Sequence, residues 1–349
     1  MALARIPAKS DRLPLPPADL RRLYRALKTC REFDERLVKM FRAGEILGTY
    51  FPAVGQEACD AVPVFFANEE GDLVLPSHRD LAAAITRGVP LLSLARTILN
   101  RSTAQGKGMA NPTWWGDTDR SYLAFSPAIG NQYCVGVGAA LAFRMRGQKN
   151  VALVMLGEGG SSEGALYEGM NFAGLHRLPV IFIIQNNWWA ESVPITLQSA
   201  VEDLSLRAYG FNMPGIRLNG NDVPGLIAPV RDAVARARNG DGPTLFQFDT
   251  YRWYGHSTAD PANYRDEAEV EYWKNQDPIS TFERWLAGNG VMSAEDLALE
   301  AMTIDAAISV AIEQAMSEPE VEDRALYRQY VYCPDGPLPA PIQRRAVGR

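Results

Sequence analysis

Two kinds of apolar pattern alternate along the chain. In "ADLRRLYRALKTCREFDERLVKMFRAGEI" the residues Leu20, Leu23, Leu27, Leu37 and Phe41 recur at helical spacing, which predicts a long amphipathic helix. Asp19 is placed to cap its start and Gly44 to end it. "QEACDAVPVFFA" reads as a second helix, and "LAAAITRGVPLLSLARTILN" as a helix pair broken at Gly88-Val89-Pro90. "CVGVGAALAFRMRG" is a small-residue helix able to pack closely against a neighbour. Two short runs, "NVALVML" and "LPVIFII", have no polar interruption, as expected of parallel strands buried on both faces. With the helical stretch Ser161–His176 between them they form a βαβ unit. "GPTLFQFDTY" supplies a later strand after a Val223–Arg238 helix. From about residue 278 the chain is helical again and ends in the proline-rich "CPDGPLPAPIQRR". This alternation predicts an α/β fold: a doubly wound, mainly parallel sheet with helices on both faces and extra N- and C-terminal helices.

Composition narrows the function more than the fold. The 349 residues, 47% hydrophobic and 22% charged, suit one large domain, read as 19–330 between an N-terminal arm (1–18) and a proline-rich tail (331–349). A net charge of -6 gives no electrostatic reason to expect nucleic acid or an anionic membrane as a partner. No apolar run reaches the roughly 18–20 residues of a membrane span. The start, "MALARIPAKSDRLPLPP", has no apolar signal core, so the expected location is cytoplasmic. Cys30, Cys59, Cys134 and Cys333 are scattered without a CxxC pair and read as free thiols.

The candidate chemistry lies in "LGEGGSSEGALYEGMNFAGLHRLPVIFIIQNN", Leu156 to Asn187. Gly157-Glu158-Gly159-Gly160 falls where a strand gives way to a helix, the place where open α/β sheets bind ligands and helix N-termini favour phosphate. A nicotinamide site fits poorly, because the spacing is not GxGxxG and the next strand ends in Asn186-Asn187 rather than an acid. What remains is a carboxylate on one strand end and a carboxamide on the next. Both are hard oxygen ligands of the kind Mg²⁺ takes beside phosphate oxygens. Taken singly, each half also reads as a helix-capping Glu or a turn-forming Asn pair.

The segment resembles the thiamine-diphosphate motif, Gly-Asp-Gly followed at a distance by Asn-Asn, with Glu158 in place of the Asp as in branched-chain members. The resemblance runs from about Leu20 to Ile279. It is to the alpha subunit of the first component of the 2-oxo acid dehydrogenases, the group of the branched-chain, pyruvate and acetoin enzymes. "GTYFPAVGQEA", "GKGM" at Gly106–Met109, "VEYWKNQDPI" and "TYRWYGHSTADPANYR" carry it as well. It implies that Glu158, Asn187 and the carbonyl of Trp189 hold Mg²⁺ and through it the diphosphate of thiamine diphosphate. From "LPSHRDLAAAITRG" it implies that Arg79 contacts the diphosphate, with His78 where an aromatic residue is usual. From "FSPAIGNQ" it implies Ser126 and Ile129 as cofactor contacts. His256 is implied as the active-site imidazole, able to move protons if its pKa is near neutrality. Ser257 stands where mitochondrial relatives are phosphorylated, and Arg252 is placed to brace the same loop. His176, at a helix end, reads as a C-terminal cap.

The departures from the family bear on substrate. Phe51 and Leu81 replace histidines, Trp114 stands where branched-chain relatives tend to carry His, and Gln185 where some relatives place Arg. These changes make the pocket less polar and favour a larger acyl group, with Trp114, Trp115, Trp188 and Trp189 as candidate lining or as ordinary packing. The implied activity is oxidative decarboxylation of a branched-chain 2-oxo acid, with transfer of the acyl group to a lipoyl-bearing acyltransferase. The glutamate that activates the cofactor belongs, in this family, to a beta subunit, so an α2β2 assembly is implied. Three other readings stay open: a pyruvate or acetoin enzyme, a related acyl or ketol transferase, and a catalytically silent scaffold subunit.

Overall fold

The structure, a computed structural model, describes residues 13–46, 48–109, 115–123 and 128–321. Trp114, Ser126, Cys333 and the tail lie outside the described residues. Among the described residues there are seven strands: β1 (Leu73–Leu75), β2 (Ala152–Gly157), β3 (Val180–Asn186), β4 (Trp189–Ala190), β5 (Val193–Pro194), β6 (Gly215–Asn219) and β7 (Thr244–Asp249). Five of them form a parallel sheet in the order β1-β2-β3-β7-β6, while β4 and β5 make a small antiparallel hairpin. The helices are α1 (Pro17–Arg42), α2 (Ala58–Phe66), α3 (Leu81–Thr86), α4 (Leu91–Ile98), α5 (Asn131–Met145) and α6 (Gly164–Leu175) in the first half. The second half holds α7 (Ile195–Gln198), α8 (Val223–Arg238), α9 (Glu267–Lys274), α10 (Pro278–Gly288) and α11 (Ala294–Ser317).

The uninterrupted apolar runs are explained by burial on both sides. Ala152, Val154 and Leu156 of β2, with Val180, Phe182 and Ile184 of β3, face α5 and α6. The alternate residues Leu153, Met155, Ile181 and Ile183 face the other layer, which holds α1, α2 and α8. Chain order reverses between β3 and β7: β2 reaches β3 through α6 on one face, and β6 reaches β7 through α8 on the other. That reversal leaves a crevice at the carboxyl ends of the strands.

Several boundaries differ from the sequence reading for local reasons. Helix α1 starts at Pro17, whose missing N–H costs nothing in a first helical turn, so Asp19 lies inside that turn rather than capping it. Gly44 ends it as expected, at φ +75°. The βαβ helix is shorter than Ser161–His176: a 3₁₀ turn, Gly159–Ser162, precedes α6, and His176 is its C-cap. β1 and β6 were not legible, since three residues of "DLVLPS" and the half-exposed "GIRLN" carry no strong period. Among the described residues no helix is long and apolar enough to cross a membrane, and Cys30, Cys59 and Cys134 are free thiols.

The small-residue character of α5 is used where it crosses the sheet. A Cβ on Gly136 would lie 2.4 Å from Val154 Cγ2 and 3.1 Å from Leu75 Cδ1. Gly136→Ala is expected to destabilise the fold by about 1–3 kcal/mol through overpacking, read as a lower thermal unfolding midpoint.

Candidate active site

Every strand bordering the crevice delivers a functional side chain just past its carboxyl end. β1 leads to Ser77, His78 and Arg79, β2 to Glu158, β3 to Asn187, and β7 to the loop that holds His256. These residues line one cavity of about 430 Å³, together with Phe51, Gln56, Ile129, Gly157, Gly159, Gly160, Gln185 and Trp189. The Gly-rich turn and Asn187 therefore border a single cavity, while Asn186 turns away to Asp249 and the Trp188 N–H.

Glu158 and Asn187 face each other across adjacent strands. The Asn187 N–H donates to Glu158 Oε2 at 3.2 Å, and the Trp189 N–H donates to Asn187 Oδ1 at 3.4 Å. The chain turns sharply here, with Trp188 at φ +73° and Glu191 at φ +55°, a conformation that side-chain-bearing residues seldom hold outside functional turns. Trp189 and Pro194 are a non-hydrogen-bonded pair of the hairpin, in which the Ile195 N–H donates to the Trp188 carbonyl at 2.9 Å, so the Trp189 carbonyl is not used in pairing with β5. Gly159 and Gly160 keep the floor open: a Cβ on the first would meet Ala190 Cβ at 2.7 Å, and on the second Tyr133 Oη at 2.6 Å. Burial raises the Glu158 pKa above its ordinary value, while Arg252 and Arg79 pull it down.

The opposite wall is cationic and aromatic. Arg79 is buried and donates to the carbonyls of Pro52 (3.1 Å) and His256 (2.8 Å). Burial, then the charge of Arg252, pushes its pKa down to about 9, which still leaves it protonated at neutral pH. Phe51 sits edge-on to both His78 and His256, at ring distances of 4.8 and 5.1 Å, and the two imidazoles are 5.5 Å apart. Burial and the neighbouring Arg79 push His256 down to about 4 and His78 well below its ordinary value. Neutrality at pH 7 replaces the near-neutral pKa expected of His256.

The loop carrying His256 is held from behind. Asp260 accepts from the His256 N–H, from the Ala262 N–H at 2.8 Å and from the Tyr264 hydroxyl. Arg252, 1% exposed, donates to the carbonyl of Glu191 and to the Tyr264 hydroxyl at 3.1 Å, so it does brace this loop. Ser257 lies in it, half-buried, its carbonyl accepting from the Asp260 N–H at 3.1 Å. Deeper still, Arg31 of α1 pairs with Glu57 and with Asp277 (2.9 Å) and lies over the Trp253 ring at 4.2 Å.

Not every candidate reaches the cavity. Trp188 packs on Trp273, and Trp115 stacks on Tyr122. Trp115 instead lines a small adjoining pocket with Phe51, His78, Leu81, Ile98 and Tyr122. The sequence reading missed Gln56, Gln132, Tyr133 and Glu163 as lining residues, although Gln56 and Gln132 fall inside the quoted "GQEA" and "GNQ" segments. It also missed that Gln185 bonds Gln56 and Asp80 in place of reaching for a phosphate.

The donor set fits a diphosphate held through a cation. It offers one carboxylate, one carboxamide oxygen and one carbonyl, opposed by a buried guanidinium, around a glycine floor that leaves room for phosphate oxygens. Among the described residues no group of three or more His, Cys, Asp or Glu is placed to hold a metal ion.

Comparison with known proteins agrees with this geometry. The sequence model of the dehydrogenase E1 component family matches residues 25–323. The alpha subunit of 3-methyl-2-oxobutanoate dehydrogenase from Mycobacterium tuberculosis is 38% identical, the match covering 80% of this chain and 73% of the relative. The pyruvate dehydrogenase E1 component alpha subunit of Bacillus subtilis is 36% identical over 86% of this chain and 79% of its own length. The 2-oxoisovalerate dehydrogenase alpha subunit of the same organism is 35% identical over 89% and 94%. The chain belongs to the dehydrogenase E1 component family, as the alpha subunit of a thiamine-diphosphate-dependent 2-oxo acid dehydrogenase with a beta subunit as its partner.

Proposed function

We propose that this member of the family acts on branched-chain 2-oxo acids and binds its cofactor through Mg²⁺ in the described cavity. The observation that carries the reading is the juxtaposition of Glu158 and Asn187 on neighbouring strand ends, opposite Arg79. Glu158, Asn187 Oδ1 and the Trp189 carbonyl hold the cation, and Arg79 and the Gly159–Gly160 turn meet the diphosphate, with Ile129 beside it. Bound there, thiamine diphosphate supplies the carbanion chemistry of decarboxylation. The chain positions it, keeps water from the buried wall, and offers the neutral His256 imidazole as a proton acceptor at the cavity. Acyl transfer to a lipoyl carrier and an α2β2 assembly complete the proposal.

The preference for an apolar acyl group rests on Phe51, at a place where the resemblance puts a histidine in pyruvate- and acetoin-type relatives, and on the side pocket of Leu81, Ile98, Trp115 and Tyr122. The test is decarboxylation by the chain co-expressed with its beta subunit, supplied with Mg²⁺, thiamine diphosphate and an artificial electron acceptor. Across a panel from pyruvate to branched 2-oxo acids, kcat/KM is expected to be highest for the branched acids. A higher value for pyruvate overturns the substrate assignment.

A further inference from the structure

Behind Asn187 runs a chain of buried polar groups whose direction is dictated from its far end. The Ser77 N–H donates to Asp80 Oδ2, which fixes Asp80 as an acceptor. Its Oδ1 accepts from Gln185 Nε2 at 2.6 Å. A carboxamide that donates at one end presents its oxygen at the other, and Gln185 Oε1 accepts from Gln56 Nε2 at 2.8 Å. Gln56 repeats the step, its Oε1 accepting from Asn187 Nδ2 at 3.4 Å. Asn187 is left with its nitrogen committed backward and Oδ1 turned to the Trp189 N–H and the cavity. Asp80, Gln56 and Gln185 are each at most 2% exposed and Asn187 is 7% exposed, so neighbouring groups rather than bulk water set the orientation.

The two glutamines are reversible: turned end for end, each still makes the same number of bonds. Asp80, an acceptor at both oxygens when ionised, fixes their direction from the far end, and the Trp189 N–H favours the same direction at Asn187. We propose that Asp80 is a positioning residue which, through Gln185 and Gln56 and together with the Trp189 N–H, holds Asn187 with an oxygen and not an N–H towards the cofactor's cation. This rests on the reading of Asn187 Oδ1 as a Mg²⁺ ligand.

The test uses the complex with the beta subunit and calorimetric titration of Mg²⁺ at saturating thiamine diphosphate, alongside the thermal midpoint without either. In Asp80→Asn the Ser77 N–H claims the new carboxamide oxygen, its NH₂ faces Gln185, and the relay reverses. Mg²⁺ affinity is expected to fall about 10–100-fold, the size of effect that outer partners of metal ligands have. Asn187→Asp in that background accepts from the reversed Gln56 and still offers an oxygen forward, so the double variant binds Mg²⁺ more tightly than either single variant. A merely structural Asp80 gives no such recovery. If Asp80→Asn does not assemble, Gln185→Met, which severs the relay, carries the same expectation of loss and recovery by Asn187→Asp. Wild-type affinity in Asp80→Asn or Gln185→Met, or additive losses in the double variant, overturns the relay alone. Absence of Mg²⁺-dependent thiamine diphosphate binding in the wild-type complex overturns the site reading and the relay with it.

Discussion

Glu158→Gln is expected to weaken Mg²⁺-dependent cofactor binding by about 10³-fold, roughly 4 kcal/mol, because it removes the one carboxylate from a buried cation site. The same change is expected to leave the cofactor-free protein at least as stable as the wild type. Burial raises the Glu158 pKa above its ordinary 4.5, so ionising this carboxyl is less favourable in the folded, empty site than in the unfolded chain. The sign follows from linkage: as pH rises above 4.5 the unfolded chain releases this proton more readily than the folded one, and stability falls. A neutral carboxamide removes that cost and still accepts the Asn187 N–H, which lies 3.2 Å from Glu158 Oε2. Opposite signs in a titration of thiamine diphosphate with Mg²⁺ and in a melt of the empty protein mark a residue kept for binding. A parallel loss in both marks a structural one.

The layers were legible in the sequence because burial on both faces leaves a run with no polar residue. "LPVIFII" became β3, and its alternating side chains feed two different cores. The Val223–Arg238 helix also emerged at its predicted ends, since Asp222 caps it and Asn239 follows it. The meeting of Glu158 and Asn187 was legible for a different reason: they stand at fixed points relative to those strands, so the strands' parallel register brings them together. What stayed hidden depends on long-range contact. Nothing local to "GIRLN" marks a strand, because β6 is an edge strand paired only through β7. Nothing local to Asp80, Gln56 or Gln185 shows that residues up to 131 positions apart share one hydrogen-bonded line. Likewise the low pKa of His256 comes first from burial and then from Arg79, which lies 177 positions away in the chain.

His256→Ala is expected to lower kcat about 10²–10⁴-fold, the usual contribution of a positioned acid or base, with cofactor affinity little changed. The separation is built into the loop. Asp260 and Arg79 hold His256 through its backbone N–H and carbonyl, so both bonds survive loss of the ring. What disappears is the imidazole itself and its edge contact with Phe51. Its protonation is readable because the chain has three histidines, which single substitutions assign in a histidine NMR spectrum. In the cofactor-free protein His256 is expected to titrate near pH 4, held down first by burial and then by Arg79. With a folded pKa below the unfolded 6.5, its contribution to stability is complete above pH 6.5 and is lost as pH falls from 6.5 towards 4. An anion paired with Arg79 cancels part of that guanidinium's field, so adding thiamine diphosphate and Mg²⁺ should move the titration upward, towards the range where a proton is both taken and returned at neutral pH. Titration at an ordinary histidine value before the cofactor is added means that Arg79 does not face this ring in solution, and the link between diphosphate binding and proton transfer is then lost.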